Sequence, residues 1–508
     1  MQLMAVFRTK KTQLALWAAL FVVAAKLLSA QTTDQLALQS QHAKQLMGEG
    51  RFQEAIPLYE QLVKAVPGNS GLILNLGLAE EMAGHPEKAV PHFEAVLKAQ
   101  PDNVPALTSL ATARLQTNQP RLAIAPLKKL LTLHPDNQDA RGMLAGSLMA
   151  TGQYKEAAEQ YRKLTASNSS DVRAWYGLGK TYESLASATF DRLTNLDPKS
   201  AYVAALVADS RVQRRQYRSA FFFYKQATDK VPNLRGVHAG LSKIYGETGH
   251  PDWAAEEQNK EASLAAPNCT ARVAECRFVA GKFWEAAQAA GTGTPEALFW
   301  ATKAYNELAV DAFRRLGAFP ESVELHAIKA DILRSHDQNL EAANEWRAAL
   351  KLAPGDAQLE RELATSLFLA RDFPSALPML QQQLKADPSA PDLNFMIGES
   401  LLRTEQPDKA VPYLEAAVKS DRKMVNAHAS LGMALATLNR TSEAIPELEM
   451  ALPVDDDGSL HYQLARAYQQ AGNSEKAREL MGKYQEIRKQ NEDSKEDLAK
   501  ETQITGPQ

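Results

Sequence analysis

Large apolar residues, small residues and prolines recur along this chain at a fixed interval. Pro67, Pro101 and Pro135 are 34 residues apart, and the same interval separates Pro354 from Pro388. Between successive prolines the same pattern returns: a segment with a large apolar residue followed by Gly or Ala, a turn rich in Gly or Asn, and a segment that opens with Ala. The pattern predicts a tandem array of two-helix repeats.

The apolar and small residues of each repeat have separate packing tasks. The small residue lets the first helix approach its neighbour closely, and the large residue fills the ridge beside it. The pairs are Leu76-Gly77, Leu110-Ala111, Leu144-Ala145, Leu363-Ala364, Ile397-Gly398 and Leu431-Gly432. The periodic proline ends the second helix, because its ring clashes inside a helix. A second set of prolines is expected in the first turn of the second helix, where a missing N–H costs little: Pro57, Pro91, Pro378, Pro412 and Pro446.

One repeat carries a fuller motif. Trp175, Leu178, Gly179 and Tyr182 reproduce the pattern W-x2-L-G-x2-Y. With this motif and the 34-residue period, the chain resembles the tetratricopeptide-repeat family over about residues 36–490. The resemblance implies an all-α fold, a right-handed superhelical solenoid of tandem two-helix repeats whose concave side binds partners.

The repeat period and the composition together divide the chain into five expected segments. They are a signal peptide at 1–30, an N-terminal repeat array at 31–268, a degenerate repeat or linker at 269–294, a C-terminal repeat array at 295–490, and a charged, partly disordered tail at 491–508. The last residues, after Thr502, are expected to be disordered.

Two repeats are short, and they belong to a duplication. The interval Tyr182–Phe190 spans eight positions where ordinary repeats have thirteen, and it recurs 123 positions later as Tyr305–Phe313. Neither interval contains Gly or Pro. We therefore expect one continuous helix at about 172–196 and another at 296–317, with a tight bend in each as the alternative.

The N-terminus has the features of an export signal. A basic segment, Arg8–Lys11, precedes the charge-free apolar run Leu14–Ala25, which at twelve residues is short for a membrane span of about 20. Ser29 and Ala30 offer a cleavage site, and cleavage would move the net charge from −3 to −7 by removing four positive charges. We expect a bacterial protein in the periplasm or secreted; an uncleaved inner-membrane anchor at 12–28 is the alternative.

Composition and motifs argue against several function classes. A net charge of −3 gives no basic surface for nucleic acid. The sequence lacks H-E-x-x-H, G-x-x-x-x-G-K-[ST] and G-x-S-x-G, and the repeats leave no room for a catalytic domain. We therefore expect no catalytic residue, no cofactor and no metal.

The two cysteines, Cys269 and Cys276, leave two alternatives open. A disulfide would require Cys269 to lie in the loop opened by Pro267, folded back on a helix that carries Cys276, because seven positions along one helix separate the Cα atoms too widely. Two unpaired buried thiols are the other possibility.

Candidate partner-binding residues are the inward-facing positions of the first helices, where aromatic and charged residues alternate. They are Tyr176, Lys180, Tyr202, Asp209, Lys243, Phe299, Lys303, Asp331 and Phe395. A structural role is the competing interpretation, with Lys180 paired to Asp209 and Lys303 paired to Asp331 across consecutive repeats.

The leading hypothesis is a non-catalytic scaffold in the bacterial cell envelope that binds a protein or an extended peptide in its groove. The alternative is an accessory subunit of an envelope assembly or of a polysaccharide synthesis or export complex. A third hypothesis is an enzyme with an unrecognised site in the groove. Nucleic acid is excluded as a partner, and a membrane would be contacted only through an uncleaved N-terminus.

Overall fold

The chain is all-helical in a computed structural model that describes residues 34–289, 291, 293–501 and 503–507. The expected signal segment, 1–30, lies outside these residues. Within them the structure contains no strand, and the all-α solenoid of tandem two-helix repeats is confirmed.

The first half of the array contains α1 (34–48), α2 (Phe52–Ala65), α3 (Ser70–Met82), α4 (Pro86–Ala99), α5 (Val104–Gln116), α6 (Pro120–Leu133), α7 (Gln138–Ala150), α8 (Tyr154–Ser167), α9 (Val172–Leu196), α10 (Ala201–Gln213), α11 (Tyr217–Lys230), α12 (Val237–Glu247), α13 (Pro251–Ser263), α14 (Val273–Val279) and α15 (Phe283–Ala289). The rest contains α16 (Pro295–Leu316), α17 (Val323–Ser335), α18 (Asn339–Leu352), α19 (Ala357–Leu369), α20 (Phe373–Leu384), α21 (Pro391–Arg403), α22 (Pro407–Ser420), α23 (Val425–Thr437), α24 (Thr441–Ala451), a 3-10 turn at Leu452–Val454, α25 (Ser459–Gln470) and α26 (Ser474–Glu501).

Two helices, α9 and α16, are not paired within a repeat. Each is continuous, with 25 residues in α9 and 22 residues in α16, so the expectation of two long helices is confirmed. Every other repeat consists of two helices, and the degenerate repeat consists of the seven-residue helices α14 and α15.

A left-handed residue makes the turn inside each two-helix repeat. It always stands two residues after the end of the first helix: Gly50, Gly84, Asn118, Gly152, Arg215, Gly249, Gly281, Asp337, Arg371, Glu405, Asn439 and Gly472. A residue with positive φ here lets the next backbone N–H groups bond to the last carbonyls of the helix. At Gly84 these bonds run from Gly84 to Glu81 and from His85 to Glu80.

The expected position of one set of prolines was wrong by one turn. Pro57, Pro91, Pro378, Pro412 and Pro446 are each the sixth residue of their helix, in the second turn. A proline there removes the hydrogen bond to the carbonyl four residues earlier. All five prolines are exposed, so water can reach the helix surface where the bond is lost.

The two helices of a repeat pack closely at a small residue of the first helix. The space above this residue, here called the slot, is filled by a side chain of the second helix. A Cβ added at Gly398 would lie 2.5 Å from Leu414, and one at Gly432 would lie 2.7 Å from Leu448. In both repeats the large residue stands sixteen positions after the glycine, and both leucines are fully buried. The small residue therefore makes room for one large side chain of the second helix, as the sequence pattern predicts.

The chain divides into two compact units. The first runs to Ser187 and includes Tyr305–Phe313, and the second consists of Ala188–Ala304 and Arg314–Gln508. Both long helices therefore contribute to both units: α9 passes from the first unit to the second after Ser187, and α16 belongs to the second unit except for Tyr305–Phe313.

In the first unit, the slot of the fifth repeat is filled from α16. A Cβ at Gly179 would overlap the ring of Phe313, and the ring of Tyr182 stacks on Tyr305 with 6.4 Å between centroids. Because α9 continues without a turn, residue Asn195, sixteen positions after Gly179, cannot fold back. Residues 305–313 thus take the place of the missing second helix.

Two glycine substitutions test the turn conformation. An added Cβ meets no atom within 4 Å at either Gly84 or Gly142, but Gly84 has φ +85° and Gly142 lies inside α7. We expect Gly84→Ala to lower the free energy of unfolding by about 1 kcal/mol, and Gly142→Ala to raise it by about 0.5–1 kcal/mol. Urea unfolding followed by circular dichroism measures both; effects of the same sign would contradict the explanation.

Candidate functional site

Four of the nine predicted groove residues come together in the second unit. The ring of Tyr202 on α10 lies 5.3 Å from the ring of Phe299 on α16, centroid to centroid. The ammonium of Lys303, one turn further along α16, lies 5.6 Å from the Phe299 centroid and 2.8 Å from Asp209 Oδ2. Phe299 is fully buried, so it is a core residue and not part of a partner-binding surface.

The predicted charge pairs were wrong. Lys303 pairs with Asp209 and not with Asp331, because α16 packs on α10. Asp331 instead pairs with Arg334 on its own helix, at 2.8 Å. Lys180 likewise pairs one turn along its own helix, with Glu183 at 2.6 Å.

The remaining predicted residues lie apart from this cluster. Tyr176 is half-buried on α9, and Lys243 is exposed on α12. Phe395 on α21 is half-buried and packs edge-on against Phe368, at 6.2 Å. Of the nine residues, Lys243 is thus the exposed one that faces solvent directly.

Asp209 also accepts a hydrogen bond from a buried tyrosine. The Tyr224 hydroxyl donates to Asp209 Oδ1 at 2.6 Å, and the Tyr224 side chain is fully buried. Burial, together with the negative charge of Asp209, raises the pKa of Tyr224 well above its usual value. The hydroxyl therefore stays protonated and keeps donating, so this network stabilises the fold.

A different surface holds a segment of the chain itself. Residues 503–507, here called the tail segment, lie against α12 and α13. The Tyr245 hydroxyl donates to the carbonyl of Thr505 at 2.7 Å, and a Cβ on Gly506 would lie 3.3 Å from the Trp253 ring. The expectation that the residues after Thr502 are disordered was therefore wrong for this segment, because the aromatic residues of the seventh repeat provide contacts for it.

An aromatic cluster builds this surface. Gly249, with φ +86°, turns the chain from α12 to α13. Trp253 stacks on His250 at 4.1 Å and meets Tyr245 nearly at right angles at 5.5 Å. Phe221 supports Tyr245 from α11, at 6.0 Å. Burial and nearby Glu257 raise the pKa of Tyr245 to about 12, so its hydroxyl remains a donor at neutral pH.

A cavity lies beside each end of the tail segment. A cavity of about 670 Å³ is lined by Gln503 and Ile504 with Arg215 and Arg218. A second cavity, of about 380 Å³, is lined by Pro507 with side chains of α11, α12 and α13. The tail segment thus has solvent-accessible space on the repeat surface next to each of its ends.

Sequence reasoning missed this surface. Tyr245 and Trp253 stand on helices that the repeat pattern predicts, but nothing in the period marks them as neighbours of a segment about 250 residues away. One signal was present: Ile504, Gly506 and Pro507 interrupt a segment that is otherwise charged and polar.

The two cysteines form a disulfide. Cys269 lies in the turn before α14 and Cys276 lies on α14, with 5.5 Å between their Cα atoms. Of the two alternatives that the sequence leaves open, the structure contains the bonded one.

Histidine–carboxylate pairs recur between the two helices of a repeat. In three repeats the histidine Nδ1 meets a carboxylate nineteen residues later: His238 with Glu257, His326 with Glu345, and His428 with Glu447. Their regular position indicates a structural role.

In the part of the chain that the structure describes, no group of three or more His, Cys, Asp or Glu side chains could hold a metal ion. No helix among the described residues combines the length and apolar character of a membrane span.

Comparison with protein families identifies the repeats. Models described as tetratricopeptide repeat match residues 46–110 and 114–180, residues 329–391 and 395–459, and residues 458–483. Together these segments cover more than half of the chain. No curated protein sequence matches it.

Solved structures with similar repeats cover parts of the chain. YrrB, described as a TPR protein with an unusual peptide-binding site, is 26% identical over 32% of this chain and 84% of its own, with a TM-score of 0.28. MamA from Desulfovibrio magneticus RS-1 is 20% identical over 33% of this chain and 96% of its own, with a TM-score of 0.30. A tetratricopeptide repeat protein from Parabacteroides merdae is 13% identical over 65% of this chain and 98% of its own, with a TM-score of 0.30.

Substitutions at Asp209 test whether the buried network is structural. Asp209→Ala deprives the Tyr224 hydroxyl of its acceptor, and we expect the free energy of unfolding to fall by about 1–3 kcal/mol. Asp209→Asn keeps an acceptor for Tyr224 and loses only the charge opposite Lys303, so its effect should be smaller. Glu54→Gln, at an exposed pair with Arg51, is the control and should cause no measurable change. Equal urea-unfolding midpoints for Asp209→Ala and wild type would contradict this role.

Proposed function

Because the chain belongs to the tetratricopeptide-repeat family, we propose that it is a non-catalytic scaffold for protein–protein interaction. Proteins with these repeats generally mediate such interactions. The observation that carries the proposal is the repeat array itself, which runs from α1 to α26 and accounts for nearly all of the described residues. In such arrays, length extends the binding surface, because each repeat contacts mainly its neighbours.

We further propose that the scaffold works in the bacterial cell envelope, in the periplasm or outside the cell. Two observations support this location. The basic and apolar segments before residue 30 have the order of an export signal. The Cys269–Cys276 disulfide is the kind of bond that persists in oxidising compartments and is rare in the cytosol of most bacteria.

The partner is proposed to be a protein that presents an extended segment to the first helices of the repeats. Lys243 on α12 is exposed and available for such a contact, and Tyr176 and Lys180 on α9 are half-buried. The tail segment supports this choice of ligand, because it shows the chemistry that the seventh repeat offers to a peptide: a hydroxyl donor from Tyr245 and an aromatic face from Trp253.

Site-specific photo-crosslinking tests the location and the surface together. The full chain, with its own N-terminal segment, carries a photoreactive amino acid at Lys243 on α12 or, as a control, at exposed Lys98 on the second helix of its repeat. We expect the protein in the periplasmic fraction of a Gram-negative host, with a new N-terminus near Gln31. In the source bacterium, crosslinks to a protein partner should form from Lys243 and not from Lys98.

Three outcomes would contradict these proposals. A chain retained in the cytoplasm with Met1 intact would overturn the envelope location. Equal partner capture from Lys243 and Lys98 would overturn the proposed surface. Turnover of a small molecule by the purified chain would overturn the non-catalytic role. Stable co-purification with a membrane complex would instead support the accessory-subunit form of the scaffold.

A further inference from the structure

We propose that α12 and α13 form a peptide-binding site, and that the tail segment is its resident ligand, which a partner segment of the same chemistry must displace. This proposal deepens the scaffold function proposed above, on which it rests, by assigning a site, a ligand class and a means of regulation. It is carried by two contacts of residues 503–507. Tyr245 donates a hydrogen bond to the main chain at Thr505, and Gly506 lies close to the ring of Trp253.

The donor side of the site is held by the aromatic residues around it. With the tail segment in place Tyr245 is 2% exposed, and its ring contacts Phe221 and Trp253. Its hydroxyl therefore points in one direction, and the Thr505 carbonyl accepts from it at 2.7 Å. A backbone carbonyl as acceptor means that the site recognises the main chain at this position and does not depend on the threonine side chain.

The next two residues of the ligand are selected by shape. A Cβ on Gly506 would lie 3.3 Å from two atoms of the Trp253 ring, which is tighter than ordinary contact, so the position favours glycine. Pro507 restricts the residue before it to extended conformations, which lowers the entropy lost when the segment binds. The ligand class is therefore an extended peptide with the order any residue, Gly, Pro.

Competition follows from the attachment of the segment to the same chain. Helix α26 ends at Glu501, two residues before Gln503, so the tail segment is presented to the site at the high effective concentration of a short tether, on the order of millimolar. To displace the tail segment, a partner peptide must be present at a comparable concentration or bind the site more tightly than the tail segment does. The cavities beyond Ile504 and Pro507 give a longer partner segment additional contacts, among them Arg215 and Arg218 for an acidic side chain.

The test measures binding of a fluorescent peptide with the sequence of residues 501–508 to the full-length protein. Gly506→Leu places a large side chain against Trp253 and should expel the tail segment. We expect this variant to bind the peptide at least about tenfold more tightly than wild type, since the competing cis ligand is gone. Gly482→Leu is the matched control: Gly482 lies on α26 with no atom within 4 Å of an added Cβ, and this variant should bind like wild type.

A second substitution locates the bound peptide. In the Gly506→Leu background, Tyr245→Phe removes only the hydroxyl and should weaken peptide binding about fivefold, the effect of one hydrogen bond. Circular dichroism should show the same helix content for all variants. Equal affinity of wild type and Gly506→Leu, or no effect of Tyr245→Phe, would overturn the proposal. Failure of the peptide to bind any variant would also overturn it, whereas the scaffold function would still be decided by capture from Lys243.

Discussion

The insertion of one large side chain into the slot above a small residue holds the two helices of a repeat together, and the rest of the array depends on it. Leu414 against Gly398 and Leu448 against Gly432 are two instances, and both leucines are fully buried. Burying such a side chain contributes about 1.5–3 kcal/mol. In a solenoid this contribution is repeated locally, because contacts run mainly between neighbouring helices.

The same constraint explains the two long helices. A helix that continues past the normal turn leaves its own slot open, and at Gly179 the open slot is filled by Phe313. The two segments are copies of each other in sequence, and equivalent tyrosines, Tyr182 and Tyr305, stack where they meet. At Gly179 the duplicated segment of α16 thus supplies the large side chain that a second helix provides in other repeats.

Sequence predicted what is local. The period located the helices, and the absence of Gly and Pro between Tyr182 and Phe190 was sufficient to predict a continuous helix. Contacts between distant segments were not predictable, because the 34-residue period says nothing about them. Lys303 meets Asp209, 94 positions away, and the tail segment meets Tyr245, 260 positions away. The sequence accordingly predicted the residue types of a binding surface, aromatic and charged residues on the first helices. It did not predict the surface at Tyr245 and Trp253 that the tail segment occupies.

A size-exchange double-mutant cycle tests most directly whether Phe313 completes the slot at Gly179. Gly179→Leu overfills the slot and Phe313→Ala empties it, so each alone should destabilise the chain in urea unfolding. The double variant restores the total volume and should be more stable than the sum of the single effects predicts, with a coupling of about 1–3 kcal/mol. Strictly additive effects would contradict the claim.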